Sequence, residues 1–104
     1  MKNLIIINGL KGMDMKKARD KLQSSLDRCV YLDFGLYTDD LTDEIKGMQM
    51  DNAGYALNNF LSCPEFENII FYWTIQEKAM LEGIVRGLDT AELTIYSFSV
   101  AYAD

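Results

Sequence analysis

The sequence predicts an α/β domain of three layers, a mainly parallel four-stranded sheet flanked by helices. Two observations carry this expectation. Short apolar runs alternate with amphipathic stretches along the whole chain, and that alternation implies parallel neighbours joined by right-handed crossovers. Two of the runs, Leu4-Ile5-Ile6-Ile7 and Ile69-Ile70-Phe71-Tyr72-Trp73, are continuous rather than alternating, the pattern of strands covered on both faces. With 104 residues, 49% hydrophobic and 25% charged, the chain is sized for one domain, 1–104, with a modest core.

Each element has its own local reason. Asn3 to Asn8 reads as a buried strand, bounded by asparagine and glycine. Asp14 to Leu26 reads as a helix with Met15, Ala18, Leu22 and Leu26 as its inner stripe and Asp14 placed to cap its amino end. Cys29 to Asp33 is the second strand, and Phe34 to Leu41 is a loop holding Gly35, Asp39 and Asp40. Thr42 to Leu61 is helical, with Ile45, Met48, Ala53, Ala56, Leu57, Phe60 and Leu61 at near-helical spacing, a break conceivable near Asp51 or Gly54, and Pro64 as its stop. Asn68 to Trp73 is the third strand, and a helix from Gln76 to Leu88 turns Met80, Leu81, Ile84, Val85 and Leu88 inward. Leu93 to Val100 is the fourth strand, with Tyr96 and Phe98 on one parity and Ile95, Ser97 and Ser99 on the other.

Composition excludes several function classes. The chain contains no histidine, so Ser-His and Cys-His nucleophile pairs and the H-E-x-x-H zinc site are ruled out. Cys29 and Cys63 form no metal-binding spacing and read as reduced packing residues. The longest apolar run, five residues, is far short of the roughly 20 that span a membrane. Together with the lack of a signal-peptide pattern, this gives the expectation of a cytoplasmic protein without a membrane partner. A formal net charge of −6 argues against nucleic acid. Its distribution is uneven. Residues 1–30 carry seven basic and three acidic side chains, the remainder three basic and thirteen acidic.

The basic part surrounds a glycine turn, Asn8-Gly9-Leu10-Lys11-Gly12, between the first strand and first helix. The run Ile5 to Gly12, then Cys29 to Asp33, then Asp51 to Cys63, then Glu65 to Trp73 resembles, over nearly the whole chain, the small bacterial nucleotide-kinase-like proteins of the P-loop superfamily, relatives of adenylate and shikimate kinases. The resemblance implies a first strand flanked by the third and fourth, with the second outside the third. It also implies ATP and Mg²⁺ as cofactors and a glycine loop that cradles phosphate. Set against G-x-x-x-x-G-K-[ST], however, Gly9 takes the first glycine, Asp14 the second, Met15 the lysine and Lys16 the hydroxyl position. Asp33 matches the family's carboxylate at the end of the second strand, while its companion two residues on is Gly35. The arginine-bearing lid and fifth strand of such kinases would lie beyond Asp104.

These departures leave paired readings. Gly9, Lys11, Gly12, Lys16 and Lys17 form either a weak phosphate or anion site or a strand-to-helix turn kept for geometry. Asp33 is either a Mg²⁺ ligand or a loop cap, and Tyr72 and Trp73 are either an aromatic platform or core. The leading expectation is a shortened, catalytically silent kinase-like domain acting as a binding, regulatory or self-associating module. It would form a homodimer through the uncharged fourth strand or engage an unidentified protein partner. The alternative is a nucleotide-dependent phosphotransferase with Lys16 replacing the usual lysine and Asp33 holding Mg²⁺; a remnant with no biochemical role is the third.

Overall fold

A computed structural model describes residues 2–10, 12–36, 38, 40–88 and 92–99. The order is β1 (Lys2–Asn8), α1 (Lys16–Ser25), β2 (Cys29–Phe34), α2 (Asp43–Leu61), β3 (Asn68–Trp73), α3 (Lys78–Arg86) and β4 (Leu93–Ser99). The four strands are all parallel and lie in the order β2-β3-β1-β4. This is the arrangement that the resemblance implies.

The continuous apolar runs explain the interior. Every residue of β3 is buried, because β3 lies between β2 and β1 with helices above and below. On one face Leu4, Ile6, Ile69, Phe71 and Trp73 pack against Ala53, Leu57 and Leu61 of α2 and Met80 and Ile84 of α3. On the other, Ile7, Ile70 and Tyr72 meet Met15, Leu22 and Leu26 of the α1 region. Right-handed crossovers dictate these sides, since β1 to β2 runs one way across the sheet and β3 to β4 the other. Tyr72 and Trp73 are therefore core residues, which removes the aromatic platform.

Helix ends follow their chemistry. Thr42 Oγ1 accepts the Ile45 N–H at 3.2 Å, and Asp43 and Glu44 occupy the first turn of α2, where the helix dipole favours acids. The helix then runs unbroken past Asp51 and Gly54. Met48 is 53% exposed rather than inward. The buried stripe is Gln49, Ala53, Leu57 and Leu61, strict four-residue spacing; Gln49 tolerates burial because its Nε2 donates to the Phe34 carbonyl at 3.1 Å. Ala18 of α1 is exposed, also against expectation. Taking Met15 as reference at 100° per residue, Leu22 and Leu26 fall about 20° to either side, Arg19 about 40° away and Ala18 about 60° away. Arg19, not Ala18, is the half-buried one. Among the described residues no helix is long and apolar enough to cross a membrane.

Candidate functional site

The glycine turn leaves the carboxyl end of β1, and its polar groups turn back into the protein. Gly9 N–H donates to the Trp73 carbonyl at 2.8 Å, extending the β1–β3 ladder by a step. The Gln76 amide donates to the Gly9 carbonyl at 2.6 Å and to Asn8 Oδ1 at 3.0 Å. The Leu10 carbonyl accepts twice, from Met13 N–H at 3.1 Å and from the Tyr72 hydroxyl at 3.0 Å. Beside the Leu10–Met13 bond stands Gly12 at φ 80°, in the left-handed region that favours glycine.

Gly9 has a different reason to be glycine. Its φ is not positive, but a Cβ there would lie 2.4 Å from Tyr72 Cε1 and 2.9 Å from Met13 Cε. The turn is thus pressed against the Tyr72 ring. At the start of α1, Asp14 Oδ1 accepts the Lys16 N–H at 3.0 Å. Asp14 therefore supports the helix from one residue before its N-cap, Met15, and the helix begins two residues later than the sequence pattern predicts.

A hollow of about 190 Å³ lies between the amino end of α1 and the carboxyl end of β2. It brings together Lys16, Asp33, Asp14 and Arg19, with Tyr31 and Tyr72 in its wall. Two of the predicted residues, Lys16 and Asp33, meet there. Gly9, Gly12 and Lys17 do not line it, and Lys11 is outside the described residues. Arg19 was not among the residues singled out from sequence; its place three positions after Lys16, on the same side of α1, is the signal that finds it. Among the described residues the hollow holds two cations and two carboxylates, and Arg19 Nε is also 3.7 Å from Asp20 Oδ1. The charges of these described residues balance, unlike those of an anion cradle.

Asp33 is committed locally, since its Oδ1 accepts the Gly35 N–H at 2.8 Å. Among the described residues no group of three or more His, Cys, Asp or Glu side chains comes together. A nucleotide-bound Mg²⁺ wants oxygen ligands, including a loop hydroxyl. Lys16 supplies a cation at that position, and Gly35 supplies no side chain beside Asp33. The residues present do not fit that ion.

Elsewhere, Cys29 and Cys63 are free thiols, both half-buried, and burial pushes the Cys29 thiol up from its ordinary range. A larger groove of about 600 Å³ runs between α3 and β4, floored by Ile6, Ile95 and Ser97 and walled by Leu81 and Val85. Compared with protein-family models and with curated proteins, the sequence matches none.

Proposed function

We propose that this chain is a catalytically silent relative of the P-loop kinases, a binding or regulatory module that associates with itself through β4. The observation that carries this reading is the inward closure of the glycine turn. Its Met13 and Lys16 N–H groups are spent on Leu10 and Asp14, and Met15 stands where a lysine would bridge phosphates. Removing the lysine and the hydroxyl takes away two charge-assisted contacts of about 1.5–3 kcal/mol each, which weakens nucleotide affinity about a hundredfold or more. Titration calorimetry with MgATP tests it: weak or undetectable binding and no phosphate release are expected. Stoichiometric micromolar binding, or turnover, would sink the reading.

One observation favours a phosphotransferase instead, the meeting of Lys16 and Asp33 in one hollow. That alternative requires phosphate release which Lys16→Ala and Asp33→Asn each abolish. The balanced charge of the hollow and the bond from Gly35 to Asp33 weigh against it.

A further inference from the structure

The two edges of the sheet are built differently. β2 carries Asp33 on its outer edge, and a charged side chain there is a common device against unwanted strand pairing. β4, Leu93–Ser99, carries neither charge nor proline. The bond from Lys2 N–H to the Glu92 carbonyl at 3.3 Å, with Lys2 opposite Leu93, fixes the phase of the β1–β4 ladder. Along a strand, successive residues direct their N–H and C=O to opposite sides. The backbone groups of Thr94, Tyr96 and Phe98 therefore face β1, and those of Leu93, Ile95, Ser97 and Ser99 face outward. Among the described residues β1 is the one strand beside β4.

Side chains add a second asymmetry. Tyr96 and Phe98 stand opposite Ile5 and Ile7, on the α1 side of the sheet. The α1 region packs on Ile7, Ile70 and Tyr72, further toward β3, and leaves Tyr96 48% and Phe98 57% exposed.

We infer that this edge pairs with β4 of a second copy, antiparallel about a two-fold axis normal to the sheet and passing at Tyr96. The inference rests on the reading of the chain as a self-associating module and gives that association its geometry. A normal axis keeps both α1 helices on one side and both α3 helices on the other. With the axis at Tyr96, Ile95 pairs with Ser97 and Leu93 with Ser99, so every outward backbone group of the strand finds a partner. Tyr96 then meets its own copy, and Phe98 meets Thr94, at non-hydrogen-bonded positions, where cross-strand side chains come closest. The same pairing opens the two α3–β4 grooves onto one another.

A second copy suits this edge for three reasons. The strand is uncharged, so self-pairing sets no like charges opposite one another. The contact is isologous and closes as a dimer, whereas pairing of β4 with the Asp33-bearing β2 edge would be heterologous and would build a ring or filament of many copies. The area is also of the right order for a reversible contact. Four half-exposed rings at roughly 150–250 Å² each contribute on the order of 300–500 Å². Even with Ile95 and the strand edges this stays below the roughly 1,200–2,000 Å² of stable interfaces, in the range of weak, reversible ones.

The experiment is sedimentation velocity on the full chain across a concentration series, with two variants. The wild type should pass from monomer to dimer as concentration rises. Ser97→Pro removes an outward N–H and leaves the β1 ladder bonds in place, so it should abolish the dimer with an unchanged far-UV spectrum. In Tyr96→Cys the two thiols would sit on the axis with Cα atoms about 4.5 Å apart, within disulfide range. Diamide should then oxidise them to a covalent dimer, itself reduced to the hydrazine. Phe98→Cys and the wild type, with Cys29 and Cys63, should cross-link far more slowly. A monomer at every concentration, or a dimer indifferent to Ser97→Pro, overturns the inference. Equal cross-linking of Phe98→Cys and Tyr96→Cys overturns the register. If Ser97→Pro unfolds, the cross-linking comparison decides. A monomer that ignores MgATP defeats the self-association and leaves catalytic silence standing, and a dimer that turns it over defeats the catalytic silence alone.

Discussion

Adding one methyl group at Gly9 should destabilise the fold by several kcal/mol, although Gly9 needs no unusual dihedral. In Gly9→Ala the new Cβ would stand 2.4 Å from Tyr72 Cε1, 2.9 Å from the Tyr72 hydroxyl and 2.9 Å from Met13 Cε. The Met13 methyl ends a flexible side chain and can swing away. Tyr72 cannot, because it is buried with Ile7 and Ile70 and its hydroxyl holds the Leu10 carbonyl. Forcing a methyl into such packing costs about 1–3 kcal/mol, and losing the Tyr72–Leu10 bond adds about 0.5–1.5. Against a total stability of about 5–15 kcal/mol, the variant should still fold with a clearly lower urea midpoint and an unchanged m-value. The comparison is Gly12→Ala, where no described residue beyond its chain neighbours comes within 4 Å of the new Cβ and the left-handed dihedral alone costs about 1–2 kcal/mol. In a Tyr72→Leu background the penalty of Gly9→Ala should shrink while that of Gly12→Ala should not. A Gly9→Ala unfolding free energy within about 0.5 kcal/mol of wild type, or a penalty indifferent to Tyr72→Leu, would refute the contact as the reason for the glycine.

Two further predictions concern single groups. Asp14→Ala should lose about 0.5–1.5 kcal/mol of stability in urea unfolding, with Asp14→Asn retaining most of it, because the bond to Lys16 N–H needs only a side-chain oxygen. Asp14→Gly should give larger thermal stabilisation by phosphate than wild type, through loss of a repelling carboxylate. Burial raises the Cys29 thiol above its ordinary 9.0, so the folded chain holds the thiol proton more tightly than the unfolded chain. That contribution is fully present below pH 9.0 and is lost as pH rises through the folded value, which denaturation at a series of alkaline pH values should register against Cys29→Ser.

Much of the fold was legible because it is written in runs. β3 runs from Asn68 to Trp73 as the continuous apolar pattern predicts, and Thr42 caps α2 where the sequence places the helix start. The misreadings came where hydrophobicity was weighed without angle. Met48 is apolar but lies one residue off the Gln49-Ala53-Leu57-Leu61 stripe, and Ala18 is further round α1 than Arg19. The site was less legible because its decisive contacts are distant in sequence. Nothing near Gly9 announces the Tyr72 ring against it or the Gln76 amide on its carbonyl. The motif comparison identified the missing lysine; the inward closure needed the packing of β3 against the turn.

Ionic strength separates the two places where this chain could engage a ligand, because its effect has opposite signs at each. Phosphate entering the hollow would be drawn by Lys16 and Arg19 on a protein of net charge −6. Salt screens that attraction over a Debye length of about 10 Å at 0.1 M, so the small thermal stabilisation by phosphate should shrink as NaCl is added. Pairing through β4 brings together two acidic copies whose contact strand is itself neutral. Salt relieves their mutual repulsion and leaves the backbone bonds and ring contacts untouched, so the dimer fraction should grow along the same NaCl series. Chloride competition deepens the first trend and has no counterpart in the second. A dimer that dissociates with added salt would mean that charged side chains, rather than the uncharged edge of β4, hold the copies together.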